Sequence, residues 1–348
     1  IGSGPYKVNN IVKDKAGTPT QYSLSSFNKY HNGEAYISNI NIFFYQNEDM
    51  AIDAFKSGTI QNFAGVSPQK SYEISSSTQS VNIIHNPLPR IFGVFFNQNN
   101  SPVLANKEVR QALNMVVDKD AIIEKALYGY AVNIDSPIPL DDASSTIKKE
   151  KLDVDKNIQL AKDLLSKSGW AINENGILEK KTKTVKQTLE LSISTADSTD
   201  LKLIAEMIKK SWEELGAKVT VKVYEFGDLS QNIIKTRKYD ALLFGEIINK
   251  DLDLYAFWHS SQRNPPGLNV SMYVNSKADK ILEDARTSFD DKARDTLYKT
   301  FEEIIKDDVP AIFLYSPEYL YMMSKEINGY DMKTISSPSD RFSNIDKW

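Results

Sequence analysis

Residues 251–273, DLDLYAFWHSSQRNPPGLNVSMY, set Asp251, Asp253, Trp258, His259, Ser260, Ser261 and Gln262 ahead of a Pro265-Pro266-Gly267 turn, with Asn269 and Tyr273 just after it. Such residues suit three kinds of chemistry: acid–base work by paired carboxylates, metal ligation by His and carboxylate, or recognition without reaction by aromatic and amide groups. Carboxylates two apart on an extended segment point to opposite sides, so Asp251 and Asp253 make a poor acid–base pair, and capping a turn suits at least one of them better. Metal sites gather ligands at i, i+4 or across a small loop, whereas His31, His85 and His259 are scattered. No metal and no cofactor is expected. Glu246 closes the apolar run YDALLFG; ligands of α/β sheets sit at the carboxyl ends of strands, which makes it a candidate contact, the alternative being a solvated strand end.

Other reaction classes lack their parts. There is no Gly-x-Ser-x-Gly elbow, no P-loop, no Gly-x-Gly-x-x-Gly and no cysteine. The net charge of -4, with both signs interspersed, gives no basic stripe for nucleic acid. Forty-one per cent hydrophobic and 25% charged residues describe an ordinary globular chain, and its 348 residues suggest two lobes. No apolar run approaches the about 18 to 20 residues of a membrane-spanning helix. Of the 17 Tyr, 15 Phe and 4 Trp, most are expected in the core, but Tyr128, Tyr130, Trp258, Tyr273 and Tyr315 fall in loops or at strand edges, suited to lining a cleft.

The elements that must position these residues follow from periodicity. Residues 1–90 read mainly as strands, with a helix at EDMAIDAFKSG closed by Gly58. Ile91 to Phe96 is a continuous apolar strand, and Ala105, Val109, Ala112, Leu113 and Val116 then recur at helical spacing. A second lobe is expected to begin there. From 188 the order is strand, helix, strand, helix, strand, the first helix with Asp200 as N-cap and Gly216 as C-cap, which predicts a sheet covered by helices. Helices through Ala278–Ala285 and Leu297–Ile305 precede a return to strand chemistry in AIFLYS and YLYMMS.

GSGPYKV, FNQNNSPVLANKEVRQALNMVVDKDAIIEKALYGYAVNIDSPIP, AKDLLSKSGWAINENGILEK, YDALLFGE and VPAIFLYSPEYLYMMSKEINGY together resemble the extracytoplasmic peptide- and nickel-type solute-binding proteins of ABC transporters, in order and spacing from end to end. The resemblance implies an α/β, two-lobed periplasmic-binding-protein-like fold of type II. Residues 1–92 would be part of lobe I, 93–312 lobe II, and 313–348 a return to lobe I, with crossover strands near 92–97 and 311–316. It also implies that the chain lacks the family's secretion signal, lipid-modified Cys, opening strand of lobe I and small extra domain. The full-length protein is expected to be an extracytoplasmic, lipid-anchored, non-enzymatic monomer that captures oligopeptides in the cleft between lobes and hands them to the membrane permease.

Family dipeptide binders anchor the peptide amine with an Asp where this chain has Ile248, and the carboxylate with an Arg near Thr195. With both charges absent, longer peptides held by backbone hydrogen bonds are favoured. Expected ligand contacts are Tyr130, Glu246, Asp251, Trp258, His259, Asn269, Tyr273 and Tyr315. The alternatives are a sugar stacked on Trp258 or Tyr273, a nickel chelate held through His259, or a hydrolase or metal enzyme built on residues 246–262.

Overall fold

The computed structural model describes residues 2–77, 81–139, 153–182, 186–248, 252–331 and 335–348. Two compact units divide the chain: one runs up to Leu88 and resumes from Glu318 to Trp348, the other is Pro89–Pro317. The expected crossovers at 92–97 and 311–316 lie inside the second unit.

In the first unit, β1 (Tyr6–Lys13), β2 (Pro19–Ser26) and β3 (Asn39–Phe43) form an antiparallel meander. Its register aligns Val8, Leu24 and Ile40 in one row and Ile11, Tyr22 and Ile42 in the next, so one face is apolar. Helix α1 (Glu48–Lys56) is capped by the Asn47 side chain, and β4 (Asn62–Ala64), α2 (Pro68–Ser77) and β5 (Val81–Pro87) follow. Its core is aromatic, built on Leu88, Tyr319, Tyr321, Met323, Ile335 and Trp348.

The second unit opens with β6 (Arg90–Phe96), α3 (Lys107–Met115), α4 (Lys119–Leu127) and β7 (Ala131–Asn133). Next come α5 (Val154–Lys167) and a small sheet of β8 (Trp170–Ile172), β9 (Leu178–Lys181) and β10 (Lys186–Thr188). The alternating stretch is β11 (Glu190–Ala196), α6 (Thr199–Leu215), β12 (Lys218–Tyr224), α7 (Phe226–Asp228) and β13 (Ala241–Ile247). Short α8 (Tyr255–Trp258), α9 (Ser276–Thr287), α10 (Asp291–Asp308) and the first half of β14 (Ala311–Ser324) complete this unit, and β14 from Glu318 onward belongs to the first. Strands β12, β11 and β13 are parallel, while β6 joins β13 antiparallel and β14 joins β6.

Three local expectations change. Ser198, not Asp200, is the N-cap of α6, and Asp200 accepts from the Ser198 hydroxyl at 2.6 Å. Residues Leu229–Ile234 wind as a π-helix. AIFLYS and YLYMMS are one strand, because Pro317 stands where the partner of β14 changes from β7 to β5 and its missing N–H interrupts neither ladder.

Candidate functional site

The carboxyl ends of β11, β12 and β13 bring Ala196, Tyr224 and Ile247 to one edge of the second unit's sheet. Helix α6 starts there, with its first-turn N–H groups and the positive end of its dipole. Its entry is tied down locally: Asp197 N donates to Tyr224 O at 2.7 Å, and Lys202 pairs with Asp197 at 2.6 Å. Thr195 is buried and donates its hydroxyl to Leu243 O at 3.0 Å. Ile248 is buried, its N–H bonded to Pro89 O at 2.9 Å. Phe226 and Ile247 leave apolar surface in solvent beside these ends, at 63% and 59% exposure.

Sheet register fixes which side chains share a face. Gly245, Phe92 and Tyr315 align across β13, β6 and β14. The rings of Phe92 and Tyr315 stack at 5.0 Å and 5°. A Cβ on residue 245 would lie 2.7 Å from the Phe92 ring, so this close approach needs glycine. Burial pushes the Tyr315 hydroxyl well above its ordinary pKa, and Asp200 nearby pushes it the same way.

Glu246, one residue on, points to the opposite face with its partner Ile91. It is 6% exposed and its Oε2 has no hydrogen-bond partner. Burial pushes its carboxyl pKa well above the carboxylate range. The structure therefore does not bring Glu246 and Tyr315 together, and it gives Glu246 an interior, proton-holding environment instead of a solvated strand end.

The segment after β13 is mostly structural. Trp258, expected as a groove wall, is 1% exposed and packs among Phe95, Tyr273, Phe301 and Phe313 with ring centroids 5.7–6.4 Å away. Asn269 is fully buried; its amide nitrogen donates to the carbonyls of Trp258, His259 and Tyr273 at 3.0–3.3 Å, and its Oδ1 accepts from Tyr273 N at 3.1 Å. Tyr273 is buried, with its hydroxyl on Asp308 at 2.5 Å. These three residues form an internal latch, because a chain turning twice between β13 and α9 must satisfy its own carbonyls once water is excluded.

His259 lies at the edge of this latch, stacked on Tyr255 at 4.1 Å. Its Nδ1 accepts from Ser261 N at 3.1 Å and lies 2.8 Å from Ser261 Oγ, the geometry of a local cap. Its Nε2 is 3.5 Å from Glu283 and 3.9 Å from Asp279. Among the described residues no group of three or more His, Asp or Glu could hold a metal ion. Asp253 accepts from Tyr255 N at 3.2 Å and pairs with Arg286 at 2.8 Å. Asp251 lies outside the described residues. Tyr130, half-buried after α4, directly precedes β7, which pairs with β14 through Asn133 opposite Tyr315 and Ala131 opposite Pro317.

Of the expected contacts, then, the structure gathers Trp258, His259, Asn269 and Tyr273 into one packed segment, sets Tyr130 and Tyr315 on the paired β7 and β14 region, and turns Glu246 to the face opposite Tyr315. The sheet edge instead presents Phe226 and Ile247, which the sequence reading passed over. Their signal was available, since each stands at or directly after the carboxyl end of a parallel strand. The arrangement at this edge offers a helix N-terminus, apolar surface and backbone groups, which suits holding a solute.

A family model described as bacterial extracellular solute-binding proteins, family 5 Middle, matches residues 1–266. The oligopeptide-binding protein AppA of Bacillus subtilis (strain 168) is 28% identical over 354 residues, covering 100% of this chain and 62% of that protein. The nickel-binding protein NikA of Staphylococcus aureus (strain NCTC 8325 / PS 47) is 22% identical over 333 residues, covering 95% and 62%. The chain thus spans 62% of the length of both relatives. The solved structure of AppA from Bacillus subtilis in complex with a nonapeptide superposes with a TM-score of 0.69 at 24% identity, covering 99% of this chain and 66% of that one, a likeness of fold.

Proposed function

This chain belongs to family 5 of the bacterial extracellular solute-binding proteins, and from that membership we propose that it captures oligopeptides for an ABC importer and delivers them to the membrane permease. The family and its relatives bind and transport substrates and are not enzymes. Among the described residues no helix is long and apolar enough to cross a membrane. A monomeric state and a lipid anchor on the full-length protein belong to the same proposal and rest on the family resemblance.

One observation carries the preference for longer peptides. The two positions where dipeptide binders carry charged anchors hold Ile248 and Thr195, both buried, the second with its hydroxyl already bonded inside the sheet. Neither can meet a peptide terminus with charge, and an unpaired ammonium or carboxylate taken out of water costs at least several kcal/mol. A longer peptide held through its backbone avoids that cost. The proposed contacts are the carboxyl ends of β11–β13, with Phe226 and Ile247 supplying apolar surface and Tyr130 and Tyr315 hydroxyls to be tested beside them.

Mass spectrometry of solute co-purifying with the intact protein tests the proposal. Mixed peptides of several residues are expected. A single nickel chelate or a sugar would overturn the peptide reading while leaving family membership intact.

A further inference from the structure

The C-terminal part of the first unit gathers three tyrosines around one cation. Tyr319 and Tyr321 have ring centroids 6.4 Å apart, and Tyr321 and Tyr330 5.7 Å apart. The Arg341 Cζ sits 5.6 Å from the Tyr321 ring and 4.1 Å from that of Phe342. Its Nη1 donates to the Pro338 carbonyl. Its Nε is buried without an acceptor, and the buried hydroxyls of Tyr319 and Tyr330 have no acceptor for their own O–H groups. Tyr319 itself is only 7% exposed. The Tyr321 hydroxyl is already committed to Asn62 at 2.7 Å.

No carboxylate among the described residues forms an ion pair with Arg341. Its neighbour Asp340 is turned to the backbone, accepting from the N–H groups of Ser336 and Ser337 at 2.8 and 2.9 Å and from the Ser337 hydroxyl at 2.9 Å. Burial raises the pKa of Tyr319, Tyr321 and Tyr330; Arg341 pulls each of the three the other way by its charge and, for Tyr319 and Tyr321, also by hydrogen bonding to the hydroxyl oxygen, which puts the guanidinium against these hydroxyls.

A buried donor without an acceptor is costly, and here two such hydroxyls stand beside a guanidinium whose own Nε lacks one and which pairs with no carboxylate among the described residues. What they lack in common is a compact anion bearing several acceptor oxygens. We propose that Arg341, Tyr319 and Tyr330 form a binding site for a small carboxylate anion, held by the guanidinium and the two hydroxyls. A planar carboxylate matches the guanidinium fork and offers about four lone-pair sites, enough for all three donors. Tyr330 also lines a groove of about 550 Å³ that runs along β5 past Met323, Lys325 and Ile327. Tyr330 is the residue of the site that lines this groove, and the ammonium of Lys325 in the same lining adds attraction for an anion there.

The site belongs to the first unit alone and does not depend on the peptide-binding reading. Titrating the whole chain with acetate and with citrate at constant ionic strength, against chloride, is expected to raise the melting temperature saturably. Arg341→Lys, which keeps the charge but loses the fork, is expected to weaken the effect about tenfold. Tyr330→Phe, which removes one hydroxyl and keeps the ring, is expected to weaken it less and serves as the test if the arginine variant does not fold. Equal shifts with chloride, or shifts unchanged in both variants, would overturn the proposal. So would sulfate binding with no response to carboxylate, or a crystal grown in acetate that shows only water on the two hydroxyls.

Discussion

Glu246 is 6% exposed with one carboxyl oxygen buried and unpartnered, and the consequence for stability has a definite sign. Its pKa in the folded chain lies well above the ordinary 4.5, so the folded state keeps a proton that the unfolded state gives up. Its favourable contribution is complete below the unfolded pKa and is lost as pH rises toward the folded value. Glu246→Gln removes the charge at every pH and is expected to stabilise the protein at pH 7 by about 1–3 kcal/mol, with the gain vanishing near pH 4. Urea melts of both forms across that range check it, and a gain independent of pH would sink the idea. Asn269 gives the opposite case. Asn269→Ala leaves Tyr273 N and three carbonyls without their partner, a loss of about 2–4 kcal/mol, and Asn269→Asp, which sets an acceptor against those carbonyls, is expected to be worse. Thermal unfolding of the pair decides it, and equal stability of the two variants would refute the latch. At this scale the sequence was informative about residue type and misleading about role. Trp258, Asn269 and Tyr273 look like a recognition surface because aromatic and amide groups serve recognition and internal turns equally, and only the packing separates the two uses.

Elements were more legible, because periodicity reports burial directly. Along α6 the buried Leu201, Ile204, Ala205, Ile208, Trp212 and Leu215 recur at helical spacing, and Gly216, expected as the C-cap, takes the left-handed conformation at φ 110°. What the pattern could not show was how distant elements are joined. Arg110 on α3 is 4% exposed and spends its guanidinium on carbonyls, donating to Asp308 and Val309 at the end of α10 and to Leu104 and Ala105 at 2.6–3.2 Å. These are the orphan carbonyls of a helix C-terminus and of the turn before α3, satisfied by one planar cation. In the sequence Arg110 stands among the polar positions of its helix and gives no hint of this. Arg110→Lys supplies a point charge that cannot fork to four carbonyls, so it is expected to cost about 2–4 kcal/mol, nearly as much as Arg110→Ala. Chemical denaturation of the two variants measures the difference. Full retention of stability by the lysine form would show that charge alone suffices.

At the scale of the whole molecule the two units differ in how much apolar surface each removes from water. The second unit has one contiguous core running from Ile91 and Val94 through Leu113, Ile193, Trp212 and Leu243 to Leu314. The first has a smaller aromatic core, and its β1–β3 meander leaves Val8 57%, Ile11 43% and Val12 41% exposed. Local stability follows buried apolar contact, and a two-unit chain need not unfold in one step. Amides of β6, β11 and β13 are therefore expected to exchange with solvent orders of magnitude more slowly than those of β1–β3, with the aromatic strand pairing of β5 and β14 between them. In urea the first unit is expected to unfold at lower concentration, with the shallower dependence that its smaller exposed area implies. Hydrogen exchange read by mass spectrometry resolves the order strand by strand. Uniform protection across β1–β3 and β11–β13, lost in a single transition, would mean that the meander's apolar face is covered and shares the stability of the larger core.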